Sequence, residues 1–237
     1  MGKSPFFDLY ETVPRQGPGD RATLDFALRI VGVGGDAQML DAGCGVGADV
    51  EALLEWAPKG HVTAIDAHAP FVAQITARYK ADDRVTAIVG DMAAQSGPFD
   101  LILCAGALYF LGLDDGLSTF KRMLAPGGAL IFSHPAFFTE PPSQEAQAFW
   151  EGERDVEHTA HICEAVRAAG LDILDATVLP DAAWEAFYTP LQARIEERLS
   201  SATGEMKAVL IAAQREIDAW RSVKAETGYI QIVAVTP

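Results

Sequence analysis

A glycine-rich turn between an apolar segment and an amphipathic segment constrains this chain more than any other stretch. Residues 38–50 read QMLDAGCGVGADV, so an apolar run ends at Asp41 and glycines follow at 43, 45 and 47. Glycine tolerates positive φ and has no Cβ, so the backbone of such a turn can approach a ligand closely. The N–H groups that open the next helix would face the end of the strand. The stretch therefore predicts a strand, a tight turn and a helix that together form a ligand site.

A second acid follows the next predicted strand. Residues 61–66 read HVTAID, and Asp66 closes the run. It lies about 20 residues beyond the glycines, which is the spacing typical of a carboxylate that accepts hydrogen bonds from ribose hydroxyls. The two strands together predict a nucleoside-binding crevice.

The glycine spacing alone does not name the ligand. Residues 43–48 also fit the dinucleotide pattern, in which the last position is Gly or Ala. However, Asp41 and Asp49 flank the turn, and no Lys or Arg lies between positions 29 and 59. A pyrophosphate would be repelled there, whereas a ligand that carries a sulfonium and an ammonium would be attracted.

Five motifs in order carry a resemblance to a known family. They are LDAGCGVG at 40–47, ID at 65–66, GDM at 90–92, FDLILCAGALYFL at 99–111 and LAPGGALIF at 124–132. With these motifs the chain resembles the class I S-adenosylmethionine (SAM) dependent methyltransferases over residues 35–180. The small-molecule branch that includes the ubiquinone-biosynthesis-like, type 11 enzymes is nearest.

The resemblance implies SAM as cofactor and S-adenosylhomocysteine (SAH) as product, and it assigns residues to the cofactor. These residues are Asp41, Gly43, Cys44, Gly45, Asp66, Ala67, Asp91, Met92, Ala105 and Arg15. In this assignment Asp66 holds the ribose, whereas Asp91 and Met92 hold the adenine. Taken alone, Asp91 would equally suit a helix cap, and Arg15 an ordinary surface turn.

Five further residues are candidates for the acceptor side. His134 follows the fifth predicted strand, where a histidine could act as a general base or simply hydrogen-bond a loop. Tyr109 follows the fourth strand and would either border the reacting centre or serve packing. These two are the catalytic candidates, and the candidates for substrate contact are Tyr10, Trp184 and Tyr188.

The predicted fold class is α/β, with a Rossmann-like, doubly wound sheet of seven mostly parallel strands and an antiparallel last strand. A helical insertion separates strands six and seven, with helices predicted at 191–199 and 205–223 and the aromatic residues before them. We expect an N-terminal cap and helix at 1–34, the SAM-binding core at 35–180, the insertion at 181–228 and the final strand at 229–237. The insertion would either cap the substrate or form a helical hairpin packed on the sheet or on a second subunit.

Composition limits the partners. The 237 residues include 33 acids and 18 bases, a formal charge of −15, which disfavours binding to nucleic acid or to an anionic membrane. Three cysteines without a Cys-x-x-Cys pair, and no recognisable signal peptide, predict reduced thiols in the cytoplasm. The longest apolar run, 101–113, is too short to cross a bilayer. His158 and His161 are expected on a solvated helix face, and no metal site is predicted.

The resulting prediction is an enzyme of the EC 2.1.1 class that transfers a methyl group from SAM to a small molecule. Two alternatives remain: an NAD-dependent oxidoreductase, and a non-catalytic SAM-binding regulatory or partner subunit. The acids at 41, 66 and 91 disfavour the last, because a subunit that no longer binds the cofactor has no physical need of them. The sequence leaves open the acceptor and the oligomeric state, with which a homodimer is compatible.

Overall fold

A computed structural model describes residues 4–152 and 156–237 of the chain. The helices are α1 Pro5–Tyr10, α2 Arg21–Val31, α3 Val50–Trp56, α4 Ala69–Arg78, α5 Leu113–Met123, α6 Gln144–Phe149, α7 Thr159–Ala168, α8 Asp181–Leu199 and α9 Gly204–Val223. The strands are β1 Gln38–Ala42, β2 His61–Asp66, β3 Val85–Val89, β4 Phe99–Ala105, β5 Leu124–Phe137, β6 Glu157–His158, β7 Asp172–Val178 and β8 Thr227–Val235. Short 3₁₀ helices lie at Met92–Ala94 and Leu108–Leu111.

One sheet organises the molecule, with the strand order β3-β2-β1-β4-β5-β8-β7. The strands from β3 to β5 are parallel, and β8 is antiparallel to both β5 and β7. The predicted doubly wound, mostly parallel sheet with an antiparallel last strand is confirmed. An eighth strand, β6, was not predicted; β5 runs on to Phe137, beyond the end of β4, and its last two residues pair with β6.

Helices cover both faces of the sheet, which explains the near-continuous apolar run of β4. Residues 101–104 of that strand are all buried, as expected for a parallel strand between two helical layers. On one face the core is closed by residues such as Phe120 of α5 and Ile162 of α7. On the other face it is closed by residues such as Leu28 of α2 and Leu53 of α3.

The strand order reverses between β1 and β4. From β1 the chain continues outward to β2 and β3, and it then returns to β4 on the other side of β1. In open α/β sheets such a switch point leaves a crevice at the carboxyl ends of the strands, and ligands bind there.

The helical insertion differs from its prediction in one respect. Helix α8 begins at Asp181, so Trp184 and Tyr188 lie on the helix rather than before it, and Pro190 lies inside it. An internal proline costs about 3 kcal/mol, but α8 buries one face, whose residues are Ala183, Trp184, Phe187, Tyr188, Leu191 and Ile195. Burial of large side chains contributes about 1.5–3 kcal/mol each, which outweighs the proline. Helix α9 confirms the second predicted helix.

A third hydrophobic cluster joins the N-terminal segment to this insertion. It contains Leu9 and Tyr10 of α1, Trp184 of α8 and Trp220 of α9, together with Tyr229 of β8. The insertion is therefore a helical hairpin that packs on α1 and on the end of the sheet.

Two other predicted segments are adjusted. Residues 137–152, which contain Pro141 and Pro142 and show no clear period, predict a loop or a short helix. They contain helix α6, whose N-cap Ser143 accepts a hydrogen bond from the Ala146 N–H. The spacing of apolar residues predicts a helix over 153–169. That helix begins at Thr159, and residues 153–155 lie outside the described part of the chain. Among the described helices, none is both long and apolar enough to cross a membrane.

Candidate functional site

A cavity of about 1060 Å³ opens at the carboxyl ends of β1 to β4, beside α1. All ten residues predicted to contact the cofactor line it: Arg15, Asp41, Gly43, Cys44, Gly45, Asp66, Ala67, Asp91, Met92 and Ala105. Tyr10 and Tyr109 line it as well. The structure therefore brings four of the five sequence motifs to one crevice, and the described lining includes no residue of the fifth, 124–132.

The glycine turn fits closely between the ends of β2 and β4. Gly43 and Cys44 both donate their N–H groups to the Ile65 carbonyl, at 2.9 and 3.0 Å. Gly43 has a φ of 73°, and a Cβ added there would overlap the Cβ of Ala107. Only glycine satisfies both conditions, so the turn can present its backbone to the cavity.

Asp66 is held by two backbone hydrogen bonds. Its Oδ2 accepts from the Gly45 N–H at 2.9 Å, and its Oδ1 accepts from the His68 N–H at 2.7 Å. A carboxylate has about four acceptor sites, so both oxygens can still accept from a ligand. This arrangement suits the two neighbouring hydroxyls of a ribose.

Asp41 is a buried carboxylate with an unused acceptor. Its side chain is 3% exposed, and Oδ2 has no hydrogen-bond partner within the described ranges 4–152 and 156–237. Burial raises the pKa of this carboxyl well above its ordinary value, the charges of Asp49 and Asp66 raise it further, and Arg15 lowers it in part. A buried, unpaired carboxylate destabilises the empty protein, so the position suits a cationic ligand.

Arg15 is already paired within the chain. Its guanidinium lies 3.1 Å from Asp49 Oδ2, and its Nε donates to the Gly17 carbonyl at 3.0 Å. Both side chains of the pair are largely buried. Arg15 lines the cavity as predicted, but its contact with a cofactor carboxylate stays a prediction.

Asp91 caps a short helix and also lines the cavity. It caps the 3₁₀ helix Met92–Ala94, where its Oδ1 accepts from the Ala93 N–H at 2.8 Å, and it also lines the cavity. Met92 is buried beside the glycine turn. The adenine contact assigned to these two residues stays a prediction.

Three predicted acceptor-side residues do not line the cavity. His134 is fully buried within β5, where it pairs with Ile230 of β8. Trp184 and Tyr188 are buried in the third hydrophobic cluster, and the Tyr188 hydroxyl donates to Glu216 at 3.0 Å. The structure does not support these three assignments, because strand pairing and the apolar face of α8 turn them into the core.

The sequence interpretation missed an aromatic and polar wall contributed by α1, the segment after it and the start of α4. Phe6, Phe7, Gln16, His68 and Phe71 all line the cavity. Phe7 stacks on His68 with ring centroids 3.8 Å apart, and His68 Nε2 lies 3.0 Å from Glu11 Oε1. The apolar pair at positions 6 and 7 was the available signal, but nothing local ties it to a histidine about 60 residues away.

Charge decides what kind of ligand fits. Among the described residues that line the cavity, four are aspartates, namely Asp41, Asp49, Asp66 and Asp91, and one is an arginine, Arg15. An excess of carboxylates attracts a cation. SAM carries a sulfonium, an ammonium and a ribose diol, so the lining fits this cofactor on the evidence of the unused Asp41 oxygen and the bare glycine turn. Within the described residues no cluster of side chains is suited to hold a metal ion.

Comparison with known proteins agrees with this geometry. Residues 39–128 match a family model described as a methyltransferase domain. The fold is similar to a SAM-dependent methyltransferase of Geobacter sulfurreducens solved with SAH, with a TM-score of 0.82, 21% identity and 98% of each chain covered. It is equally similar to one of Thiobacillus denitrificans, also solved with SAH, with a TM-score of 0.82, 20% identity and 100% of each chain covered.

A curated relative matches over a shorter region. The malonyl-[acyl-carrier protein] O-methyltransferase of Enterobacter lignolyticus is 34% identical over 112 residues, which are 46% of this chain and 43% of the relative. Across the curated relatives, the chain matches between 31% and 50% of their lengths.

Residues 39–128 thus match a methyltransferase domain, and the sheet around them has the fold of these SAM-dependent methyltransferases. The resemblance drawn from the five motifs is confirmed at this level. The narrower resemblance to the ubiquinone-biosynthesis-like branch stays a prediction.

Proposed function

We propose that this protein is a SAM-dependent methyltransferase of the EC 2.1.1 class that methylates a small molecule. The observation that supports this most is the pair of acids at the ends of β1 and β2. Asp41 is buried with an unused oxygen, and Asp66 is held by Gly45 and His68 beside the same turn. Together they suit a cationic ligand that carries a ribose.

Each wall of the cavity has a role in this proposal. The glycine turn and Asp41 hold the methionine end of the cofactor, and Asp66 holds the ribose. Met92 and Asp91 border the adenine, and Ala105 and Tyr109 border the acceptor. These positions follow the strand order β3-β2-β1-β4, which runs from the adenine side to the acceptor side.

The chemistry needs placement more than it needs a reactive side chain. When bound, SAM supplies an electrophilic methyl group on a sulfonium. The chain's own residues exclude water and hold the acceptor in line, and such positioning can supply roughly 7–11 kcal/mol in favourable cases. His134 is buried within β5 and is not part of this proposal.

The malonyl group in the name of the curated relative suits the cavity of this chain poorly as an acceptor. A malonyl group carries a carboxylate, and among the described residues that line the cavity Arg15 is the one lysine or arginine. Asp49 already neutralises Arg15 at 3.1 Å. We therefore propose a small-molecule acceptor other than a malonyl group.

We also propose a role for the segments that flank the core, a cellular compartment and a class of partner. Residues 1–34 and 181–228 act as a cap on the core at 35–180, since α1, α8 and α9 share the third hydrophobic cluster. Cys44 and Cys104 are buried free thiols, which suits a reducing cytoplasm. The formal charge of −15 supports neither nucleic acid nor anionic membrane as a partner.

The direct test is calorimetry with SAM, SAH and NAD⁺ on the wild type and on Asp66→Ala. Loss of hydrogen bonds to a charged group costs about 1.5–3 kcal/mol, so SAH affinity should fall about 10- to 150-fold in the variant. Asp218→Ala is the matched control, since Asp218 is an exposed acid on α9 that accepts from Gln214 at 2.9 Å.

Two outcomes would redirect the proposal. Binding of NAD⁺ without SAH would indicate a dinucleotide enzyme. Tight SAH binding without methyl transfer to any acceptor in a broad screen would indicate a regulatory or partner subunit.

A further inference from the structure

We propose that the methyl acceptor is a neutral aromatic molecule, held at the mouth of the cavity by Phe6, Tyr109 and Phe110. This inference rests on the proposed function and specifies the class of its substrate. It is carried by the aromatic lining of the cavity, by the position of that lining relative to the strand ends, and by the distribution of charge.

Two aromatic pairs from distant parts of the chain line the same cavity. Phe6 stacks on Tyr10 in α1, with ring centroids 4.4 Å apart. Tyr109 and Phe110, in the 3₁₀ helix after β4, lie 4.3 Å apart. Aromatic side chains prefer offset or edge contacts with other rings, and such contacts contribute about 0.5–1.5 kcal/mol each beyond burial. The pairs therefore favour a flat ring as their occupant.

Two of these rings are unusually exposed for phenylalanine. Phe110 is 73% exposed and Phe6 is 49% exposed. A phenylalanine at a cavity mouth gains apolar contact only when something covers it. Phe26 on α2 is similarly exposed, at 44%, but does not line the cavity, so it provides a matched comparison.

The second aromatic pair lies at the acceptor end of the cavity. Asp66 and Asp91 follow β2 and β3, on the side where the adenosine is proposed to bind. Tyr109 and Phe110 follow β4, on the other side of β1 in the strand order. A molecule at these rings would therefore approach the cofactor from its sulfonium end.

Among the described residues, those of α1 and of 105–111 that line the cavity include no Asp, Glu, Lys, Arg or His. The residues that line it from α1 and from 105–111 are apolar or aromatic, namely Phe6, Phe7, Tyr10, Ala105, Gly106, Ala107, Tyr109, Phe110 and Leu111. The carboxylates come from the turn and from the ends of β1 to β3, and Arg15 is paired with Asp49. The basic groups among the described lining residues, Arg15 and His68, already face Asp49 and Glu11. An anionic acceptor would therefore lose hydration with little compensation, so a neutral one is favoured.

The test compares probes on the SAH-loaded protein by calorimetry at neutral pH. 2-Naphthol is neutral and aromatic, 2-naphthoate has the same rings with a negative charge, and 1-decanol is neutral without a ring. We expect 2-naphthol to bind at least about tenfold more tightly than either of the others. Phe6→Ala and Phe110→Ala should each weaken 2-naphthol binding about 2- to 12-fold, the equivalent of one aromatic contact.

Controls separate loss of the ring from loss of the fold. Phe26→Ala should leave 2-naphthol affinity unchanged. Phe110→Leu keeps an apolar side chain and should behave like Phe110→Ala, and both variants should bind SAH as the wild type does. Unchanged SAH affinity shows that the core of a variant is folded.

The inference is overturned if 2-naphthoate or 1-decanol binds as tightly as 2-naphthol. It is also overturned if 2-naphthol does not bind, or if the two rim variants bind it like the wild type. Failure of the proposed function would appear separately, as absence of SAH binding to the wild type before any probe is added, and the inference would fall with it.

Discussion

At the scale of single residues, Asp41 shows how a site can oppose stability. Its carboxyl is buried with an unused oxygen. Burial raises the pKa of Asp41, and the charges of Asp49 and Asp66 raise it further. The native protein therefore retains a proton above the ordinary pKa of aspartate, about 3.9, whereas the unfolded chain releases it. The stability that the folded protein has below the ordinary aspartate pKa is lost as the pH rises through the raised pKa of Asp41.

Asp41→Asn should remove this loss. We expect the unfolding free energy of the variant to fall less than that of the wild type between pH 4 and 8, as measured by urea denaturation. At pH 8 the variant should be the more stable protein, with Tm higher by about 2–4 °C for each kcal/mol recovered. SAM affinity should rise with pH in the wild type, because a cation favours the ionised carboxyl, and the variant should lack this rise.

Asp218→Asn is the control, since that acid is exposed on α9. A difference in stability between wild type and Asp41→Asn that does not change with pH would show that Asp41 has an ordinary pKa.

Gly43 provides a second test at this scale. Gly43→Ala should cost more than Gly32→Ala, although their φ values are similar, at 73° and 67°. A Cβ at Gly43 would overlap Ala107, whereas a Cβ at Gly32 would meet no atom of the described residues within 4 Å beyond its own neighbours in the chain. Strain alone costs about 1 kcal/mol at Gly32, and the overlap should add about 1–3 kcal/mol at Gly43. Thermal unfolding of both variants measures this difference.

The double variant Gly43→Ala with Ala107→Gly removes the overlapping methyl group. It should recover the part of the loss that exceeds the Gly32→Ala value. No recovery would mean that the turn and the end of β4 are not in contact as described.

Some site residues were predictable and others were not, for a physical reason. Asp41, Asp66 and Asp91 lie at or just beyond the carboxyl ends of β1, β2 and β3, and the carboxyl ends of parallel strands meet at one edge. The burial of His134 depends on β8, almost 100 residues later. No local pattern around His134 contains that information.

At the scale of elements, the N-terminal segment (residues 4–19) is tied to the glycine turn. Gln16 Oε1 accepts from the Val46 N–H at 2.9 Å, and Gln16 Nε2 donates to the carbonyls of Tyr10 and Val13 at 3.1 and 3.2 Å. One side chain thus joins the end of α1 to the loop that faces the cavity. This contact orders the wall before any ligand binds.

Gln16→Ala should loosen that wall. We expect faster hydrogen exchange at the Val46 amide and a two- to twelvefold loss of SAH affinity, since one net hydrogen bond contributes about 0.5–1.5 kcal/mol. Gln214→Ala, on the exposed face of α9, should change neither. Unaltered hydrogen exchange at the Val46 amide in Gln16→Ala would refute the proposed link between Gln16 and the glycine turn.

Helix α8 shows why an element boundary can be misjudged. The helix was predicted to begin only at residue 191, after Pro190 and the aromatic residues. The helix nevertheless begins at Asp181, since its buried face extends from Ala183 to Ile195. Tertiary burial overrode a local helix-breaking signal there.

At the scale of the whole molecule, the third hydrophobic cluster connects the cap to the sheet. Trp184 stacks on Trp220 with centroids 4.9 Å apart and meets Tyr229 of β8 edge-on at 5.1 Å. The doubly wound parallel sheet was predictable from the five motifs, because four of them lie at the carboxyl ends of β1 to β4. The docking of α8 and α9 on α1 was not, because the sequence allowed several partners for their apolar faces.

Trp184→Ala distinguishes a core residue from a substrate contact. Large-to-small changes of a buried tryptophan cost about 3–5 kcal/mol, so the urea midpoint should fall clearly. SAH affinity, measured where the variant is folded, should stay within about twofold of the wild type, because Trp184 does not line the cavity.

Leu174→Ala, at an exposed position of the edge strand β7, should leave both quantities unchanged. A stable Trp184→Ala protein with altered acceptor affinity would show that Trp184 contacts the substrate.

The central claim is that the ends of β1 to β4 form one SAM site, and a crystal structure of the protein grown with SAH tests it most directly. The account predicts SAH in this cavity, with its ribose hydroxyls on Asp66 and its homocysteine end at the glycine turn. SAH bound elsewhere, or a cavity that stays empty at saturating SAH, would contradict it.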